Sequence, residues 1–216
     1  MVDQKDSGRT PLTLLILFCL ILGWSAIRPH DYFIWFLEVL PALLGIGILL
    51  ALYPTFAFSN FTYFFVFLQA VILVVGGHYT YAENPAFNWL RDTFSLDRNY
   101  YDRLGHFFQG LTPALIAREY LIRKAIVAKT SWVPFFVVCI CLAASAGYEF
   151  IEWWVALYSG ESASAFLGTQ GDVWDTQWDM FMAFLGALTA VGLFSGWQDR
   201  SMATLTPQDT IDGDRQ

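Results

Sequence analysis

Six long apolar runs dictate what this chain can become. They lie at Leu12–Ile27, Phe33–Tyr53, Phe61–Tyr81, Leu104–Ile122, Trp132–Tyr158 and Asp179–Trp197. Crossing a bilayer takes roughly 20 residues at 1.5 Å rise, and four of the six runs meet that comfortably. Charged residues make up only 14% of the chain, against about a quarter in soluble domains, so the surplus apolar surface must face lipid. The expected fold is all-α, a polytopic membrane helix bundle of about six transmembrane helices. The first run is short. Its leading segment balances Lys5 and Arg9 against Asp3 and Asp6 and no clean small-residue cleavage site follows, so it reads as an uncleaved helix.

Orientation follows from lysine and arginine alone. With the N-terminus inside, the inner side collects Lys5, Arg9, Arg118, Arg123, Lys124, Lys129, Arg200 and Arg215, and the outer side only Arg28, Arg91, Arg98 and Arg103. The expected layout is N-in/C-in: residues 1–11 a cytoplasmic tail, 12–197 a single six-helix membrane domain, 198–216 a second cytoplasmic tail. Twelve acids then stand against four bases outside, a surface that attracts cations. A net charge of −7 without a basic stripe excludes nucleic acid as a partner. Cys19, Cys139 and Cys141 all lie inside apolar runs. They form no disulfide framework and no spaced zinc motif, and read as small buried hydrophobes.

The polar residues inside these runs are the informative ones. GDVWDTQWD sets Asp172, Asp175 and Asp179 three and four residues apart, on one face if the segment is helical. Asp102 and His106 are spaced i,i+4, and Glu149 and Glu152 i,i+3. His78 sits near the outer end of the third run. Four helices thus carry eight ionisable groups to one depth of one leaflet, where each charge costs up to ~3 kcal/mol. Either several acids are protonated or a cation resides among them. Oxygen ligands with two imidazoles suit Mg²⁺, Mn²⁺, Fe²⁺ or Zn²⁺. The metal candidates are therefore His78, Asp102, His106, Glu149, Glu152, Asp172, Asp175 and Asp179. Glu38 is left out of this set.

Each piece has a plainer reading. Asp102 alone is a helix-cap acid, and the three aspartates alone are a solvated helix start favoured by the dipole. Aromatic residues crowd the same side as an interfacial belt, within which Trp174 and Trp178 are candidates to wall an apolar substrate. Arg98 and Arg103 are candidates to hold a substrate phosphate or carboxylate; pairing with nearby acids is the simpler role. The amphipathic stretch NPAFNWLRDTFSL is expected on the membrane surface. The small-residue loop SGESASAFLGTQG suits a close cover over a site or a moving lid.

YYDRLGHFFQGLTPALIAREYL, YEFIEWW and GDVWDTQWDM together resemble the YjdF-type family of bacterial inner-membrane proteins. The likeness runs from the second helix through the sixth. It implies a multi-pass protein of the bacterial inner membrane, and it implies no reaction. Three functions fit the residues. The first is a metal-dependent hydrolase or transferase acting on a membrane-associated substrate, a lipid for example, at a site facing the periplasm. The second is a carrier for divalent cations or protons. The third is a non-catalytic component with a structural ion site.

Overall fold

The computed structural model describes residues 8–159 and 169–205. Among the described residues there is no strand, as the apolar runs require. Seven helices follow one another: α1 (Arg9–Ser25), α2 (Tyr32–Leu52), α3 (Asn60–Tyr79), α4 (Pro85–Phe94), α5 (Tyr101–Arg123), α6 (Val133–Ser159) and α7 (Asp175–Met202). Four of them, α2, α3, α6 and α7, are long and apolar enough to cross a membrane. At 17 residues α1 is shorter, about 25 Å against a hydrocarbon layer of about 30 Å. Leu20 on α1, Ile48 on α2, Phe136 on α6 and Leu193 on α7 point outward, the arrangement expected where lipid is the solvent.

Local chemistry sets the helix starts. The Asp31 carboxylate accepts the Phe33 and Ile34 amides at 2.7 and 2.9 Å, and Asn84 accepts the Ala86 amide at 3.1 Å ahead of Pro85. These are N-caps, and proline at the first helical position lacks only an N–H that had no partner there. The surface stretch NPAFNWLRDTFSL forms α4, with Trp89 and Phe94 exposed.

Length alone qualifies α5 as a span; its composition does not. It carries Asp102, Arg103, His106, Arg118 and Glu119, all buried. The polarity is tolerated because α5 is the central helix, packed by α3, α6 and α7. Its contact with α7 is backbone against backbone. A Cβ on Gly110 would stand 1.8 Å from the Ala183 carbonyl oxygen, and one on Gly186 2.0 Å from that of Phe107. Small residues permit this approach, and membrane helices use them where no hydrophobic drive between helices exists. The core beside the crossing holds Phe65, Leu111, Leu115, Val137 and Ala187.

At one end of the bundle the polar groups saturate one another. Glu119 is fully buried and accepts four hydrogen bonds: from the Ser59 amide and hydroxyl, both at 2.7 Å, Thr62 Oγ1 at 2.6 Å and Arg123 Nη1 at 2.8 Å. Gln198 donates to the Leu115 carbonyl at 2.7 Å and accepts from Arg118 at 2.9 Å. This is why α7 runs past Trp197, where the apolar run stops, to Met202. A fully satisfied buried network specifies its neighbours firmly.

Two expectations need correction, and a third falls outside the described residues. Asp172 is not on a helix, since α7 opens at Asp175; Asp172 lies in the preceding turn and accepts the Trp174 amide at 2.9 Å. Cys141 is buried, but Cys19 and Cys139 are on the outside of the bundle. Most of the small-residue loop, residues 160–168, lies outside the described residues.

Candidate functional site

The opposite end of the bundle, where α2, α5 and α7 begin, gathers the acids. Asn99 organises it. Its side-chain amide donates to the Asn84 carbonyl and to Asn88 Oδ1, and its own Oδ1 accepts the Tyr101 amide. Its backbone exchanges two bonds with the Gln170 side chain at 3.0 and 2.8 Å. The segment entering α5 is thereby tied to the segment entering α7, and Arg98 and Arg103 are brought against the aspartates.

In one half of the cluster every carboxylate is paired with these arginines. Arg98 Nη1 donates to Asp175 Oδ1 at 2.6 Å and lies 3.5 Å from Asp172 Oδ2. Arg103 Nη2 reaches the same two carboxylates at 2.9 and 3.1 Å, and its Nη1 donates to Asp179 Oδ1. Both guanidiniums are buried. By count alone, arginines are too scarce here to balance the acids. Two guanidiniums against three aspartates still leave one negative charge; what the planar forks supply is hydrogen bonds to all three carboxylates at once.

The other half has no such saturation. The His106 ring is buried with Nε2 facing Asp102 Oδ1 at 3.5 Å and Asp179 Oδ1 at 3.9 Å, and with Nδ1 facing Glu149 Oε1 at 3.8 Å. Asp102 Oδ2, His106 Nδ1 and Glu149 Oε1 are buried without a hydrogen-bond partner; Arg98 Nη2 stands 3.9 Å from the first of these. Such groups are costly to leave unmade. On α6 the same face carries Ser145, whose buried hydroxyl is also unpartnered.

Beside this group is a cavity of about 80 Å³ bordered by Asp102, His106, Glu152, Tyr148 and Glu38, which Asp179 does not border. Glu38 has no place in the sequence-derived site, and the structure puts it on the cavity wall, almost wholly buried, with the Tyr81 hydroxyl bonded to it. Tyr81 itself is wedged where Gly76 and Gly105 leave room: a Cβ on either would come within 2.4 or 3.0 Å of its ring. An acid nearly two turns inside an apolar helix was the signal that could have found Glu38.

The remaining candidates separate. Seven carboxylates, Glu38, Asp102, Glu149, Glu152, Asp172, Asp175 and Asp179, meet at this end, with His106 between them. His78 is not among them. Its Nδ1 lies 2.9 Å from the Ser25 carbonyl oxygen and its ring lies 4.5 Å from that of Trp24, so it fastens the end of α3 to the end of α1. Trp174 and Trp178 are exposed and do not border the cavity, as in an interfacial belt.

A family model described as a predicted membrane protein (DUF2238) matches residues 10–200. The chain belongs to the DUF2238 family. Inner membrane protein YjdF of Escherichia coli (strain K12) is 50% identical over 179 residues, which is 83% of this chain and 86% of that protein. The resemblance drawn from the three motifs therefore holds, and this DUF2238 chain is a membrane protein similar to one of the bacterial inner membrane. No solved structure matches it.

Proposed function

We propose that this protein holds a divalent cation between Asp102, His106 and Asp179 and uses it to hydrolyse or transfer an ester or phosphoester of a membrane-associated substrate. One observation carries the reading. The Asp102 and Asp179 oxygens stand 3.5 and 3.9 Å from His106 Nε2, too far for good hydrogen bonds. Ligands bound about 2.0–2.2 Å from one ion stand about 3.0–4.2 Å apart, from adjacent to opposite octahedral positions. All three ligand atoms lie within 4.8 Å of one another and all three residues are buried. Glu149 Oε1 faces the far nitrogen of the imidazole at 3.8 Å with no hydrogen bond between them; closing that gap when the ion binds would fix the tautomer, as in a carboxylate–histidine–metal arrangement.

The chemistry of one nitrogen and two carboxylates admits Mg²⁺, Mn²⁺, Fe²⁺ or Zn²⁺. Such an ion polarises an ester oxygen and makes bound water acidic. Asp179 shares its Oδ1 with Arg103, so the guanidinium stands ready beside any anionic group that the ion engages. By the lysine and arginine distribution the site faces the periplasm. A transport path is the weaker reading, because Leu111, Ala114 and Leu115, at 0–1% exposure, fill α5 between this cluster and Glu119.

Metal analysis of the purified full-length protein tests the proposal. The expected result is a stoichiometric divalent ion that His106→Ala loses while keeping a cooperative melting transition. Wild-type protein that retains no divalent ion after dialysis against Zn²⁺, Mn²⁺ and Mg²⁺ would sink it. Turnover of a lipid phosphoester that stops on chelation then separates an enzyme from a structural ion staple.

A further inference from the structure

We infer that the cavity bordered by Glu38, Glu152 and Asp102 is a second cation site, built of oxygen ligands for a hard divalent ion such as Mg²⁺ or Mn²⁺. It rests on the reading above only through Asp102 and His106, which border both sites; Asp179 belongs to the first alone and Glu38 to the second alone.

The cavity is lined from α2, α3, α5 and α6, and no α7 residue borders it. Beside its three carboxylates the wall carries the side-chain amides of Gln69 and Gln109, the phenols of Tyr148 and Tyr81 and the His106 ring. Among the described residues no lysine or arginine borders it. Arg98 and Arg103 are engaged chiefly with the aspartates around α7; of the cavity acids only Asp102 has cations close by, Arg98 Nη2 at 3.9 Å and the His106 ring at 3.5 Å. The space, about 80 Å³, takes an ion with some of its water, since each water needs roughly 10–15 Å³ of such volume.

A second observation, independent of the acid count, points to a ligand. Asp102, a residue of the cavity wall, is 6% exposed and its Oδ2 has no hydrogen-bond partner, the Arg98 guanidinium standing off at 3.9 Å. Two backbone carbonyls are also released nearby. Pro41, itself in the wall, removes the N–H that the Leu37 carbonyl would accept within α2, and Pro113 does the same to Gln109 in α5. Carboxylate, amide and carbonyl oxygens with retained water are the ligands that Mg²⁺ and Mn²⁺ prefer, and no thiol or sulfur contributes. Asp102 adjoins both ions and so is suited to bridge them, the arrangement in which two metals clamp one substrate oxygen pair.

The test is equilibrium dialysis of chelator-stripped full-length protein in detergent against Mn²⁺, with melting curves to confirm folding. Wild type is expected to bind two ions per chain. Glu38→Gln and Glu152→Gln, nearly isosteric, should each weaken one of them at least tenfold and leave the other, while Asp179→Asn should weaken the other ion instead. Should one glutamine variant fail to fold, the second decides. One ion in wild type, lost in Asp179→Asn but retained by both glutamine variants, overturns the cavity site and keeps the first. One ion lost in the glutamine variants and indifferent to Asp179→Asn supports the cavity site and removes the first. No bound ion overturns both.

Discussion

Arg103 grips Asp175 at two points: Nη2 donates to the carboxylate at 2.9 Å, and Nη1 donates to the backbone carbonyl at 3.2 Å. The guanidinium therefore holds the first turn of α7 as well as its charge. Arg103→Leu leaves Asp175 and Asp179 buried without their shared partner, which is expected to cost about 3–5 kcal/mol. Thermal unfolding in detergent measures this. Adding Asp175→Asn and Asp179→Asn to the leucine variant should recover part of the loss; no recovery would show that lost packing, not unpaired charge, is responsible.

The crossing of α5 and α7 permits nothing larger than hydrogen at two positions. Gly110→Val and Gly186→Val each drive a side chain into the facing backbone. A destabilisation of more than about 2 kcal/mol is expected for each. At Gly45 and Gly196 an added Cβ would meet nothing within 4 Å, so alanine there supplies controls that should not lower the melting temperature.

Glu119 accepts from four donors while fully buried. Glu119→Gln turns one acceptor oxygen into a donor facing donors, and should cost about 2–4 kcal/mol by unmet hydrogen bonds to a charged group. The same change at the acidic end, Glu149→Gln, should be milder, because Glu149 has only the Thr176 side chain as a hydrogen-bond donor and its Oε1 has none to lose. Paired melting curves decide; equal costs would contradict the contrast between a closed network and an open site.

If Glu149 orients His106, Glu149→Gln should weaken metal affinity by about 10–100-fold without abolishing binding. Titration of stripped protein reads the affinity directly. Unchanged affinity would assign Glu149 a structural role only.

Much of this is legible in the residues themselves. Apolar runs specify helices, and counting residues from their ends puts Asp102, His106, Glu149 and Asp179 at a common height. Height is not direction, however. His78 shares the height and faces Ser25 and Trp24, whereas Glu38 sits on a helix that contributes nothing to the sequence-derived site and faces the cavity. Helices that are apolar nearly all round carry little periodic signal for which side meets a neighbour. Arg98 and Arg103 are visible within a few residues of the cluster. That they turn inward depends on Asn99 and Gln170, which are far apart in the chain.

From the residues alone follow the membrane, the helices and the stacking of acids at one end, because hydropathy and rise per residue are properties of a single segment. Which acid is paired with a guanidinium and which keeps an oxygen without a donor arises only when α5 and α7 cross at Gly110 and Gly186. That division is a matter of ångströms between Arg103 and aspartates 69 and 72 residues further along the chain, and Coulomb and hydrogen-bond energies fall too steeply with distance to be assigned before those segments meet.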